Sequence, residues 1–235
     1  TAKAALSFGD DPDQKVNMLY ILEVILRERQ LITWPAGIQL NIKDQNPDSP
    51  TFGEIIDVVR IDVHESQKLD AVQELLEELC EEGERTIVFS KFKGPLYELQ
   101  RRVGRKFDTT TATGDDPTRH RTQVRYDFDF KTAPEHPRWT AVFATYDAFS
   151  TGINLNAARH VILIDDEWSP GMEDQAIGRI DRLNSTDQAQ VHIFRVRNTI
   201  DDFMEKLIEE KRRLTEGFET EISAKSMLGH LKAVK

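Results

Sequence analysis

Two arginines, Arg179 and Arg182, close the stretch Gln175-Ala-Ile-Gly-Arg-Ile-Asp-Arg182. On a helix, residues at i and i+3 face the same way, so both guanidiniums would point to one side. A pair of planar, permanently charged forks suits the oxygens of a polyphosphate. The same spacing also serves an ordinary solvated face, on which Glu173, Asp174 and Asp181 would be the partners. A second candidate is Val161–Glu167 (VILIDDE), an apolar strand running into three acids. Such acids hold magnesium when a phosphate loop lies upstream. Here no glycine precedes a lysine, so GxxxxGK[ST] is absent, and the acids read instead as a strand end leading into a helix-capping loop. GxGxxG, HExxH and GxSxG are also absent, and the six histidines are scattered, so no metal site is expected.

Positive charge gathers in three places. Lys91 and Lys93 follow a short apolar strand. Leu99–Phe107 holds Arg101, Arg102, Arg105 and Lys106, and Thr118–Tyr126 holds Arg119, Arg121 and Arg125, both windows without an acid. Each is a phosphate-binding patch or an exposed face. The whole chain, with 41 acids against 31 lysines and arginines, has a net charge of -10. That excludes an overall basic coat but not local patches, because screening confines each charge to about 8–10 Å.

These residues need a scaffold, and 235 residues with 39% apolar content suffice for one large domain or two small ones. No apolar run reaches the ~18 residues that would suggest a membrane span. The opening TAKAALSFGDDPDQK does not read as a signal peptide, and the lack of an initiator Met suggests a fragment of something longer. The single cysteine, Cys80, excludes an internal disulfide and a cysteine-based zinc site, and suits a reducing compartment.

The pattern divides the chain into an extension (1–63), a regular α/β region (64–216) and a helical tail (217–235). In the extension, 16–30 reads as a helix, 34–53 as an irregular Pro- and Gly-containing excursion, and 55–63 as a strand or linker. The regular region alternates. Helices are expected over 66–79 (capped by Ser66), 95–103, 170–183 and 199–214, with another opened by Asp116 as cap and Pro117 in its first turn. Strands are expected over 86–90, 107–112, 139–144, 160–165 and 191–196. Short, continuous apolar strands between helices indicate a mainly parallel sheet with helices on both faces, whose ligands lie beyond the carboxyl ends of the strands.

Several blocks, in order, resemble the second RecA-like lobe of the Swi/Snf-type ATPases, a branch of the superfamily-two helicases and DNA translocases. Thr86–Ser90 (TIVFS) resembles motif IV. Gly114, Arg121 and Phe128 resemble the G-x-T-x-x-x-x-R…F block. Thr145–Leu155 (TYDAFSTGINL) resembles motif V, and Asp165–Pro170 (DDEWSP) resembles D-x-x-W-N-P. Gln175–Arg182 resembles motif VI, and Thr199–Lys211 the closing helix. The lead-in helix Ser66–Leu79 is also similar, and residues 16–35 resemble more weakly the L-x-x-L-R-Q…P stretch before the lobe. The chain departs from the pattern at Phe149 and Ser150 (paired glycines in the family), Ser169 (Asn), Asp181 (His) and Asn184-Ser185 (G-Q). These departures suggest an outlying branch, bacterial or phage.

The resemblance implies a lobe that works only with a first, N-terminal RecA-like lobe, which supplies the phosphate loop and the Mg2+ ligands for ATP. Arg179 and Arg182 would be the catalytic arginines, Arg182 the finger. Gln175, Gly152 and Asp147 would line or couple to the nucleotide cleft. Lys91, Lys93, Arg121, Ser150 and Thr151 would hold the phosphates of duplex DNA, which translocases track without reading bases. Trp168 is expected to pack. The setting would be cytoplasmic in a bacterial or phage-infected cell, nuclear in a eukaryote, with no membrane, and the protein a monomer. A non-catalytic RecA-like interaction or DNA-binding module is the competing reading, and a strand-separating helicase a third.

Overall fold

The computed structural model describes residues 18–44, 46, 48–129, 132, 138–149, 155, 157–178 and 189–216. Helix α1 (Met18–Thr33) leads into a two-stranded antiparallel hairpin, β1 (Gln39–Lys43) and β2 (Ile55–Arg60). Then α2 (Gln67–Glu81), β3 (Thr86–Ser90), α3 (Lys93–Val103), β4 (Thr109–Ala112), α4 (Thr118–Asp127) and β5 (Ala141–Thr145) alternate. A 3-10 turn (Tyr146–Phe149), β6 (His160–Leu163), α5 (Pro170–Ile177), β7 (Gln190–Ile193) and α6 (Ile200–Glu216) complete the order.

Strands β3 to β7 form one parallel sheet in the order β4-β5-β3-β6-β7. β3 is central, and all five of its residues are buried. Successive side chains of a strand point to opposite faces, and the core divides accordingly. Ile87, Phe89, Val142, Ala144, Val161 and Leu163 face α4 and α5, packing with Val124, Phe128 and Ala176. Val88, Ala141, Phe143 and Ile162 face α2 and α3, packing with Leu69, Val72, Leu76, Leu96 and Leu99. Each such aliphatic or aromatic side chain stabilises the fold by about 1.5–3 kcal/mol when fully removed from water. A third cluster joins α1 (Ile21, Ile25) to α6 (Ile200, Phe203, Met204, Leu207). Trp168 packs against that cluster, as expected.

Local chemistry sets the ends. Ser66 caps α2: its Oγ accepts the Leu69 N–H at 3.2 Å, while its hydroxyl donates to the Thr33 carbonyl at 2.8 Å, joining α1 to α2. Gly83 ends α2 at φ +77°, a conformation that costs glycine nothing. Lys68 and Asp201, both buried, meet at 2.7 Å and tie α2 to the start of α6.

Two expectations are corrected. Residues 34–53 include strand β1, which pairs with β2 from Gln39↔Arg60 to Lys43↔Ile55. Both hairpin strands are largely exposed, so no one-sided alternation marked them. Asp116 does not cap α4, whose N-cap is Pro117. Its carboxylate instead accepts the Thr113 N–H at 2.7 Å and the Thr113 hydroxyl at 3.0 Å, closing the turn before the helix. The helix expected over 170–183 is described to Ile177, and the tail 217–235 lies outside the described residues.

Candidate functional site

All five main strands are parallel, so the segments following β3, β5 and β6 emerge at the same carboxyl edge of the sheet. The segment after β3 carries Lys91 and leads into α3 at Lys93. Its backbone is fixed from the segment after β6. One Asp165 carboxylate oxygen accepts the Lys91 N–H at 2.9 Å, and the other accepts the Ser90 hydroxyl. The Ser90 Oγ in turn accepts the Phe92 N–H at 3.0 Å. From the 3-10 turn after β5, the Tyr146 hydroxyl donates to the Asp165 carbonyl at 2.6 Å, with its ring stacked on Phe89.

The three acids after β6 are buried, at 2–3% exposure. Leaving them ionised requires partners, because an unpaired buried charge is strongly destabilising. Arg29, itself buried on α1, lies 3.7 Å from Asp165 and donates to the Asp166 carbonyl. Arg195 forks Asp166 at 2.6 and 2.9 Å and reaches Glu205 on α6 at 2.7 Å. Lys91 Nζ meets Glu167 at 3.1 Å. Burial pushes the Asp165 carboxyl above its ordinary range, while Arg29 and the Ser90 hydroxyl pull the other way. The acids therefore do more than end a strand and lead into a cap: they form an ion network joining α1, β3, β7 and α6. Asp165 accepts from the Lys91 N–H and the Ser90 hydroxyl, Asp166 is forked by Arg195, and Glu167 faces Lys91, so most of their oxygens are engaged. Among the described residues no group of three or more His, Cys, Asp or Glu could hold a metal. The residues present do not fit a magnesium ion.

Lys93 pairs with Asp115 at 2.6 Å, and that hydrogen bond raises the lysine's proton affinity, with a smaller contribution from Asp147. Asp147 is exposed in the 3-10 turn, so the structure brings these two expected site residues near one another. Phe92 caps α3 without a side-chain hydrogen bond. The first-turn N–H groups of a helix otherwise lack intrahelical partners and suit anions.

The other expected residues are placed less closely together. Arg121 is on α4, with Nη2 3.5 Å from the Thr118 hydroxyl and Nε buried without a hydrogen-bond partner. Gln175 is exposed on α5. Ser150, Thr151, Gly152, Arg179 and Arg182 lie outside the described residues. The partners suggested for the two arginines are partly engaged elsewhere: Arg212 of α6 meets Glu173 at 3.1 Å and Asp174 at 2.7 Å. The window 99–107 is less cationic than it reads. Arg101 and Arg102 both pair with Glu98 at 2.7 Å, Arg102 also with Asp70, and Lys106 with Glu77. Arg29, Arg195 and Arg212 were not singled out from the sequence. For Arg29 a signal existed, the weak likeness of residues 16–35 to L-x-x-L-R-Q…P.

Residues 67–184 match the family model described as the helicase conserved C-terminal domain. Among curated proteins, the chain is 31% identical over 144 residues to the DNA repair protein RAD5 of Saccharomyces cerevisiae, covering 59% of this chain and 12% of that protein. It is 30% identical over 163 residues to RAD5A of Arabidopsis thaliana, covering 69% and 15%. The chain thus spans less than a fifth of these relatives. Two solved structures share the fold. The C-terminal part of the Fun30 ATPase domain has a TM-score of 0.58 at 19% identity, covering 74% of this chain and 57% of that one. The Sulfolobus solfataricus SWI2/SNF2 ATPase core in complex with dsDNA has a TM-score of 0.59 at 21% identity, covering 91% and 41%.

Proposed function

From a chain that belongs to the helicase conserved C-terminal domain family and is similar to the RAD5 DNA repair proteins, we propose the following motor function. The lobe completes an ATP site shared with a first RecA-like lobe and grips the backbone of duplex DNA. The observation that carries this reading is the convergence of the segments after β3, β5 and β6 on one edge of a parallel sheet, where ligands of such folds bind.

In the closed motor, Arg179 and Arg182 stabilise the negative charge that develops on the γ-phosphoryl oxygens, with Arg182 as the finger. Such an arginine contributes about 10³–10⁵ in rate. The engagement of Glu173 and Asp174 by Arg212 supports this role, because it removes two acids that would otherwise compete for the arginines. Gln175, which precedes Arg179 by four positions in the sequence, orients the pair or contacts the nucleotide. Asp147 and Gly152 couple cleft closure to DNA. The magnesium ligands fall to the first lobe, since the acids after β6 do not fit the ion.

On the DNA side, Lys91, Lys93 and Arg121, with Ser150 and Thr151, hold phosphates rather than bases. Asp165 holds the Lys91 backbone in place, and the uncapped start of α3 adds main-chain donors. The relatives named above are from yeast and Arabidopsis, which supports a eukaryotic, nuclear setting over a bacterial or phage one. The motor acts as a monomer.

The experiment compares turnover by this chain alone with turnover by a two-lobe protein containing it, with ATP, magnesium and duplex DNA. The chain alone gives background, and the two-lobe protein gives DNA-stimulated hydrolysis. Hydrolysis by the chain alone that survives repurification, and is lost on mutating one of its residues, overturns the shared site.

A further inference from the structure

Between α1, the turn that follows it, β1 and the start of α3 lies a groove of about 540 Å³. Its cations come from two parts of the chain: Arg27 from α1, Lys91 and Lys93 from the segment after β3. Amide side chains of Gln30, Gln39 and Asn41 complete the polar lining, and among the described residues no carboxylate lines it. On a chain with 41 acids, a groove with three cations and no lining acid is a distinct electrostatic feature.

We propose that this groove seats a stretch of nucleic-acid phosphate backbone, so that the DNA track continues from the lobe onto α1 and the hairpin. The proposal rests on the motor reading and extends its DNA contact to Arg27, Gln30 and Asn41. Lys91 and Lys93 stand at the junction, where one side faces the edge of the sheet and the other faces the groove.

Three observations favour a phosphate backbone over an acidic peptide. Of the apolar members of the lining, Trp34, Ile38 and Pro95 are buried and only Ala36 and Phe92 are half-exposed, so the apolar surface offered to a peptide side chain is limited to those two. The exposed members, Gln39, Asn41, Lys91 and Lys93, are hydrogen-bonding or cationic. Two of the three cations are also held by partners that yield easily, whereas Lys91 is paired with the buried Glu167. Lys93 pairs with an exposed Asp115, and Arg27 lies 3.7 Å from an exposed Glu23. Pairs of this kind contribute about 0–1 kcal/mol, so a phosphate can take the cation at little cost.

The test uses this chain and a fluorescent duplex titrated at several salt concentrations. Each phosphate contact contributes about 0.9 to the slope of log affinity against log salt. Arg27→Gln reduces the slope by about 0.9, so its deficit against wild type shrinks roughly 3.5-fold between about 50 and 200 mM salt. Asn41→Ala weakens binding at every salt concentration but leaves the slope alone, because an amide releases no counterion. Circular dichroism confirms that both variants fold. If Lys91→Gln and Lys93→Gln lower the slope while Arg27→Gln and Asn41→Ala match wild type, the groove proposal fails and the motor reading stands. If none of the four changes binding, the DNA role of this lobe fails with it. A polyglutamate of equal charge that binds more tightly than the duplex, and loses affinity in Arg27→Gln, overturns the choice of ligand.

Discussion

The Asp165 carboxylate accepts the backbone N–H of Lys91 at 2.9 Å, across the gap between the central strand β3 and its neighbour β6. With Ser90 on its other oxygen and Arg29 beside it, this buried acid links α1 to the segment that carries the candidate DNA-binding lysines. An acid that resembles a magnesium ligand in the sequence is thus a structural anchor for the segment that carries the candidate phosphate-binding lysines.

Arg29→Ala and Asp165→Ala are each expected to destabilise the fold by about 3–5 kcal/mol, since each strands a buried charge. In a chain of this size that lowers the melting temperature by roughly 6 °C or more. The double mutant should cost less than the sum, because removing both partners leaves no orphan and contacting residues are coupled. Thermal melts of the three variants check this, and strict additivity would show that the two side chains do not act as a pair.

The acid limb of stability should depend on Glu98. The Arg101 guanidinium hydrogen-bonded to it, with Arg102 alongside, holds its carboxyl down to about 2 from an ordinary 4.5. A depressed folded value means that the unfolded chain binds the proton first. The contribution is present above about pH 4.5 and is lost as pH falls toward about 2. Urea melts between those values should show a flatter decline for Glu98→Gln than for wild type.

Between the start of β6 and the neighbouring β7, His160 Nδ1 and His192 Nε2 lie 3.0 Å apart with the rings stacked. Burial, and then the neighbouring imidazole, push His192 below its ordinary 6.5. The folded state therefore holds His192 neutral where the unfolded chain binds a proton. Its stabilising contribution is present above about pH 6.5 and fades as pH falls toward the folded value. His192→Gln should remove that slope, measured as the midpoint of urea unfolding from pH 7.5 down to 5.5.

The sheet was legible because its strands announce themselves. TIVFS is bounded as expected, and the expected helix at 66–79, with its Ser66 cap, runs from Gln67 to Glu81. The hairpin was not legible. Its strands are exposed on both sides, so burial imposes no period of two, and the prolines and glycines around them suggested irregular chain. The ion network was hidden for a different reason. Arg29 and Asp166 are 137 positions apart and Ser90 and Asp165 are 75 apart, distances over which sequence pattern carries no pairing information. Among the candidate site residues, the sheet edge brings Lys91, Lys93 and Asp147 together, whereas the motif VI arginines rest on their resemblance alone.

If this lobe supplies arginines to a shared ATP site, turnover of the two-lobe protein depends on them. An exposed helix arginine contributes to stability within about 0.5 kcal/mol. Against a developing phosphoryl charge the same side chain lowers the barrier by roughly 4–7 kcal/mol. Arg182→Ala and Arg179→Ala should therefore remove most DNA-stimulated ATP hydrolysis while melting temperature and DNA affinity stay near wild type, and Arg→Lys should restore only part, because an ammonium lacks the planar fork. Unchanged turnover in both alanine variants would contradict the account and leave a RecA-like binding module in its place.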